Sequence, residues 1–175
     1  MSLRIALLGL LTAAGPASGY DLTKLFESSI SNAWQARHSQ IYPELNKMAA
    51  DGLVTVEEAG PRGRKTYEIT AEGSGELRTW LLEKEPSRSY RSEGALRAFL
   101  LPMLESHEAV ALLRTEAQAY AVRLAELEAI CAAQPSSKKS GFGHYALDLG
   151  IRQARLMRDW AEETAAEIEN LAKET

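Results

Sequence analysis

Residues 39–70 read SQIYPELNKMAADGLVTVEEAGPRGRKTYEIT. Ile41, Leu45 and Met48 fall at the three-four spacing of a helix buried on one face, and Gly52 stands where a C′ glycine ends such a helix. Val54 and Val56 then alternate with Thr55 and Glu57, and Tyr67 and Ile69 with Thr66 and Glu68, the period-two pattern of half-buried strands. Ala59 to Gly63 joins them; two glycines and a proline make this a loop longer than a two-residue turn. Helix, stop, strand, basic loop and strand, in that order, spell a winged helix-turn-helix, which pairs a groove-reading helix with a phosphate-gripping hairpin.

Moving outward toward the N-terminus, MSLRIALLGLLTAAGP carries Leu3, Ala6, Leu7, Leu10 and Leu11 at helical spacing before Gly15-Pro16. One Arg ahead of a short apolar run also resembles a secretion signal, but a core-facing first helix fits better because the same domain continues beyond it. Ser18 is a natural N-cap for a second helix, with Asp21 in its first turn and Leu22, Leu25 and Phe26 on its buried face. Trp34 should pack back onto this helix pair. The third helix is expected to open at Ser39 or Gln40, which puts Pro43 in or close to its first turn, where a missing N–H costs little. Thr70 caps a fourth helix holding Leu77, Trp80 and Leu81. The division expected is a DNA-binding domain over 1–85, a polar linker over 86–92 and a helical domain over 93–175.

The chain has 175 residues, 45% hydrophobic and 25% charged, enough to bury a core and far from a disordered composition. Cys131 is its single cysteine, which excludes an internal disulfide and cysteine-based zinc clusters and fits a reducing cytoplasm. No run approaches the ~20 apolar residues of a membrane span. The net charge of −4 opposes a simple DNA-binding reading, and residues 1–85 hold 9 Lys and Arg against 11 Asp and Glu. Binding must then rest on local clusters: Arg37, His38 and Lys47 around the third helix, and Arg62, Arg64 and Lys65 at the hairpin tip, with Glu57 and Glu58 working against them.

From residue 93 the pattern becomes helical. A short helix over about 93–104 should turn Leu96, Phe99 and Leu100 inward. Val110, Leu113, Ala117, Tyr120, Leu124, Leu127 and Cys131 form a seam over three heptads, so Cys131 reads as a small core residue. A last long helix carries Tyr145, Leu149, Leu156, Trp160, Ile168 and Leu171 on one stripe. Its charges run against the helix dipole, with Arg152, Arg155 and Arg158 first and Asp159, Glu162, Glu163, Glu167 and Glu169 after. An antiparallel partner accounts for this, either the preceding helix, with Glu126 and Glu128 near the arginines, or a symmetry mate.

Residues 8–81 resemble the PadR family of bacterial transcriptional regulators, on LGLLTAAGPASGYDL at 8–22, SQIYPELNKMAADGLV at 39–54 and GRKTYEITAEG at 63–73, ending in Leu77-x-x-Trp80-Leu81. The helical half is similar to the C-terminal domain of longer family members and of AphA-type virulence activators. The resemblance implies a mainly α fold, with an N-terminal winged helix-turn-helix, a two-stranded β wing and a C-terminal antiparallel helical dimerisation domain. It also implies a repressor that binds a palindromic operator in double-stranded DNA as a homodimer. Carried over by position, it places Ser39, Gln40, Tyr42, Pro43, Asn46 and Lys47 at the DNA surface and Arg62, Arg64 and Lys65 on the wing. Leu149, Leu156, Trp160, Ile168 and Leu171 become candidates for dimerisation. Gln40 and Asn46 suit bidentate bonds to adenine, and the wing cations suit phosphates. Ser18 and Tyr20 could reach a phosphate beside the second helix, although Tyr20 reads more readily as core, and packing under the wing explains Tyr42 about as well as a DNA contact.

Family members commonly sense small aromatic or hydrophobic molecules. Trp80, Trp160, Tyr90, Tyr120 and Tyr145 could line such a site, with Trp160 the effector-contact candidate, and core packing explains them as well. An enzyme is disfavoured, because His38, His107 and His144 stand singly and neither a phosphate-cradling glycine loop nor paired metal-ligand spacing occurs. No cofactor or metal is expected. The serious rival is a winged-helix adaptor that binds protein in place of DNA.

Overall fold

The structure, a computed structural model, describes residues 3–27, 38–58, 64–86, 92–133 and 142–174. It divides into two compact units, residues 1–86 and 87–175.

In the first unit, α1 (Leu3–Ala14), α2 (Gly19–Leu25), α3 (His38–Ala50) and α4 (Ala71–Glu83) surround one apolar core. α1 contributes Leu7, Leu8, Leu10 and Leu11, α2 contributes Leu22, and the stripe Ile41, Leu45 and Met48 fastens α3 from within. Each such side chain contributes roughly 1.5–3 kcal/mol by leaving water, so the outer face of α3 has a rigid base. Gly52 (φ 75°) closes α3 with paired bonds from its own N–H to Ala49 O and from the Leu53 N–H to Met48 O, a left-handed cap that L side chains resist. Arg4 of α1 spans to α3 and its C-terminal end, with Nε 3.0 Å from Glu44 and Nη2 2.6 Å from Asp51.

The wing strands are β2 (Val54–Glu58) and β3 (Lys65–Ile69), paired antiparallel from Val54↔Ile69 to Glu58↔Lys65. The expected two strands are in fact three. β1 (Ala17–Ser18) adds to the other side of β3, with Ala17 opposite Tyr67 and Ser18 opposite Thr66, so β3 is central. Two residues are too few to leave a periodic trace in sequence, which is why β1 was not expected. Thr70 links wing to helix: its hydroxyl donates to Gly52 O at 2.8 Å and accepts from the Gly73 N–H at 3.0 Å.

One further expectation for this unit is corrected. α3 begins by His38, so Pro43 lies inside it and not in its first turn; a proline there denies the Ser39 carbonyl its helical donor. Leu81 is exposed beside Leu82 on α4, and Trp80 is half-buried. Trp34, Arg37 and the hairpin tip with Arg62 lie outside the described residues, as does the His38 side chain.

The second unit consists of α5 (Glu93–Leu100), a 3-10 turn (Leu101–Met103), α6 (Ser106–Ala133) and α7 (His144–Glu174). α6 and α7 pack antiparallel. Early α6 residues Val110, Leu113 and Ala117 meet Ala161 and Ala165 late in α7, while Leu124 and Leu127 meet Leu147 and Ala154. Ion pairs follow the same register: Arg155 to Glu128 at 2.9 Å, and Arg114 to Glu169. The charge segregation of α7 is therefore matched at least in part by its own chain's α6.

Two inward assignments in this unit are reversed. Leu96, Phe99 and Leu100 of α5 are exposed, Phe99 to 79%, and Leu101 is buried in their place. Cys131 is exposed, because the seam ends with Leu127. Tyr145, Leu149, Leu156 and Leu171 face outward and Trp160 is more than a third exposed. α7 thus has two apolar faces: Leu147, Ile151, Ala154, Ala161, Ala165 and Ile168 turn toward α6, and the stripe read from sequence, apart from Ile168, is the other. No helix among the described residues is long and apolar enough to cross a membrane.

Candidate nucleic-acid interface

With Ile41, Leu45 and Met48 buried, helical geometry turns Ser39, Gln40, Tyr42, Pro43, Asn46 and Lys47 outward, and all six are exposed. This face holds two amides, a hydroxyl, a phenol and an ammonium, a set able to read base edges and to bind phosphate. Glu44 is half-buried at its border, and its charge is met by Arg4, whose guanidinium is held still more firmly protonated by hydrogen bonding to Glu44 first and Asp51 second. Arg4 is a residue that sequence reading missed. It both anchors α3 and neutralises two carboxylates that would repel DNA.

Tyr42 is half-exposed and does not lie under the wing; its ring rests on Gly19, where a β-carbon would stand 2.5 Å from Cε1. The absent side chain at Gly19 is what lets α2 and this ring approach. Tyr20, which read more readily as core, is more than half exposed, and the Lys24 ammonium lies 4.7 Å from its ring centre. Lys24 also went unnoticed in the sequence. The i,i+4 spacing of Tyr20 and Lys24 was the available signal.

Ser18 and Arg64 are brought together in a way the sequence did not show. Ser18 is only 5% exposed. Its hydroxyl donates to Asp21 Oδ2 at 2.7 Å and accepts from the Asp21 N–H at 3.3 Å, while its own N–H donates to Oδ2 at 3.2 Å, a reciprocal capping box. Arg64, at the foot of β3, sends Nη2 into the same group, 3.1 Å from Ser18 Oγ and 2.6 Å from Asp21 Oδ2. The Ser18 hydroxyl bond, with help from the Ser18 N–H and Arg64, holds the Asp21 carboxyl below its ordinary value against the opposing effect of burial. In this conformation Ser18 has no hydroxyl face to offer a phosphate, which corrects its expected role; it fixes the foot of the wing. Lys65 sits 3.4 Å from Glu58, its cross-strand partner, and stays half-exposed.

Comparison with known proteins places this geometry. The transcriptional regulator PadR-like family model matches residues 7–79, and the virulence activator alpha C-terminal model matches residues 90–169. The negative transcriptional regulator PadR of Bacillus subtilis is 33% identical over 95% of this chain and 97% of its own length. Its crystal structure in complex with operator DNA superposes with a TM-score of 0.84 at 32% identity, covering 95% of this chain and 98% of that one. The structure of the same protein with p-coumaric acid gives 0.82, with 95% of each chain covered. The Vibrio cholerae virulence activator AphA matches at 26% identity with a TM-score of 0.75, over 97% of this chain and 99% of its own. A winged helix whose reading face is built on α3, followed by an antiparallel helical pair and matched end to end by these proteins, identifies the chain as a member of the PadR-like family of transcriptional regulators.

Proposed function

We propose that this regulator binds a palindromic operator in double-stranded DNA as a homodimer, acts as a repressor in the cytoplasm, and is released by a small aromatic or hydrophobic effector. The observation that carries the reading is the exposed row Gln40, Asn46 and Lys47 on a helix whose opposite face is wholly buried. Such a helix can enter a major groove without rearranging, and its amides suit the N6/N7 edge of adenine. Lys65, Arg64 and Arg62 supply phosphate contacts that fix register, and Tyr20 and Tyr42 flank the reading face. Two copies would set their reading helices about 34 Å apart, one turn of DNA. The B. subtilis relative supports the repressor and effector parts, since it is a negative regulator known in complex with operator DNA and with p-coumaric acid. For the effector, Trp160 is the aromatic we would test first.

The test has two steps. Selection from random duplexes should yield a palindrome, and the triple variant Arg62→Ala, Arg64→Ala, Lys65→Ala should bind more weakly to every duplex with a flatter salt dependence. A triple variant unchanged in both affinity and salt slope would favour the adaptor reading.

A further inference from the structure

Among the described residues, Arg64 is the wing cation whose side chain is tied to a different element. A guanidinium offers two edges for a bidentate grip on phosphate, Nε with Nη2 and Nη1 with Nη2, and both edges need a hydrogen from Nη2. In this structure Nη2 serves Ser18 Oγ and Asp21 Oδ2. Asp21 does not depend on Arg64 for its position, because the capping box fixes it through the Ser18 N–H and hydroxyl, and Ser18 is itself held opposite Thr66 by β1–β3 pairing. The acceptor is thus a pre-set anion at the wing's foot, and the Arg64 side chain, more than half exposed, is the moving part.

We infer that Asp21 is an internal competitor for DNA phosphate: it holds Arg64 Nη2 in the free protein, and a phosphate must compete with the Asp21–Ser18 clasp for that group. The inference rests on the DNA-binding reading above and adds its regulation. Asp21 lowers affinity for DNA of any sequence and, by holding one cation back, lowers the number of counterions released on binding. A grip formed at the expense of an internal ion pair is then retained only where the rest of the interface fits.

The experiment is a double-mutant cycle on the full chain with a random duplex, across a salt series. Asp21→Asn keeps an oxygen to accept the Ser18 N–H and so keeps the cap. It should tighten binding about two- to fivefold, the scale of one exposed ion pair, and steepen the log–log salt slope by about 0.9, one phosphate. With Ala at position 64 the same change should do neither. An equal gain in the Arg64→Ala background would mean that only the loss of a negative charge matters, and would overturn the clasp; so would a null or weakening effect of Asp21→Asn beside an intact Arg64. The unmodified protein gives a second readout that does not depend on the variant folding. On adding the palindrome that selection yields, where the rest of the interface fits, the Asp21 ¹³Cγ signal should move toward its position in the Arg64→Ala protein, and a signal that stays put on that duplex overturns the proposal. Wild-type protein that binds no duplex at all defeats the DNA-binding reading and the clasp together, whereas wild-type binding with an empty cycle defeats the clasp alone.

Discussion

A β-carbon on Gly19 would stand 2.5 Å from Tyr42 Cε1, closer than any real contact, and the atom in its way belongs to a ring that can swing. Gly19→Ala should therefore leave thermal stability within about 1 kcal/mol, since a helix gains from Ala what the contact loses, while turning Tyr42 away from its place against Gly19 and weakening operator binding severalfold. A melt paired with a DNA titration checks this, and wild-type affinity would show that Tyr42 takes no part. Asp21 makes a second prediction at this scale, in pH. Its carboxyl is held below its ordinary value, so its stabilising contribution is fully present above the unfolded-state pKa of about 3.9 and disappears as pH falls from there through the lower folded-state value. The Tm difference between wild type and Asp21→Asn should be constant above about pH 5 and shrink below about pH 4. A difference that did not shrink at all as pH fell below about 4 would separate Asp21's contribution from its charge.

At the scale of elements, the proposed function divides the labour between α3 and the wing. Bidentate amide–adenine bonds discriminate by roughly 1–3 kcal/mol each, so Gln40→Ala and Asn46→Ala should each relax preference at one operator position while leaving binding to random duplex nearly intact. Competition titrations with single-base operator variants would show it; equal losses on every sequence would reassign these residues to the phosphate backbone. α3, β2, β3 and the caps at Ser18, Gly52 and Thr70 were legible in sequence because each is enforced locally, by apolar spacing, a hydroxyl ahead of a helix or a glycine after one. β1 was not, having two residues, nor was the Arg64–Ser18–Asp21 group, whose members are joined across 43 to 46 positions by tertiary pairing. Tyr20 was misjudged for a different reason: an aromatic body fits a core and a wet surface alike. Arg4 shows the same limit. Its partners Glu44 and Asp51 are 40 and 47 residues away, and nothing in their spacing announces the contact.

For the whole molecule, α7 poses the problem that apolar periodicity alone leaves open, which is whose chain covers which face. Toward α6 it presents chiefly Ala154, Ala161 and Ala165 with Leu147, Ile151 and Ile168, small residues that let the helices approach but bury little apolar area. The larger side chains Leu149 and Leu156, the latter 67% exposed, and Trp160 are left outside, and α5 leaves Leu96 and Phe99 outside as well. A stripe of this size on a stable monomer is unusual, and a two-fold mate would cover it with the same stripe. Ile168, partly buried, packs on the inner face. Leu149→Glu with Leu156→Glu should thus spare the hairpin, whose inner face is untouched, and convert a dimer to a monomer by sedimentation with helicity unchanged by circular dichroism. Because the second half-site is then no longer bound at the effective concentration that linkage provides, operator affinity should fall by about 10²–10⁴, while affinity for a single half-site stays near that of wild type. A double variant that remained dimeric would move the interface to another face, and a monomer holding the full palindrome at wild-type affinity would detach operator recognition from dimerisation.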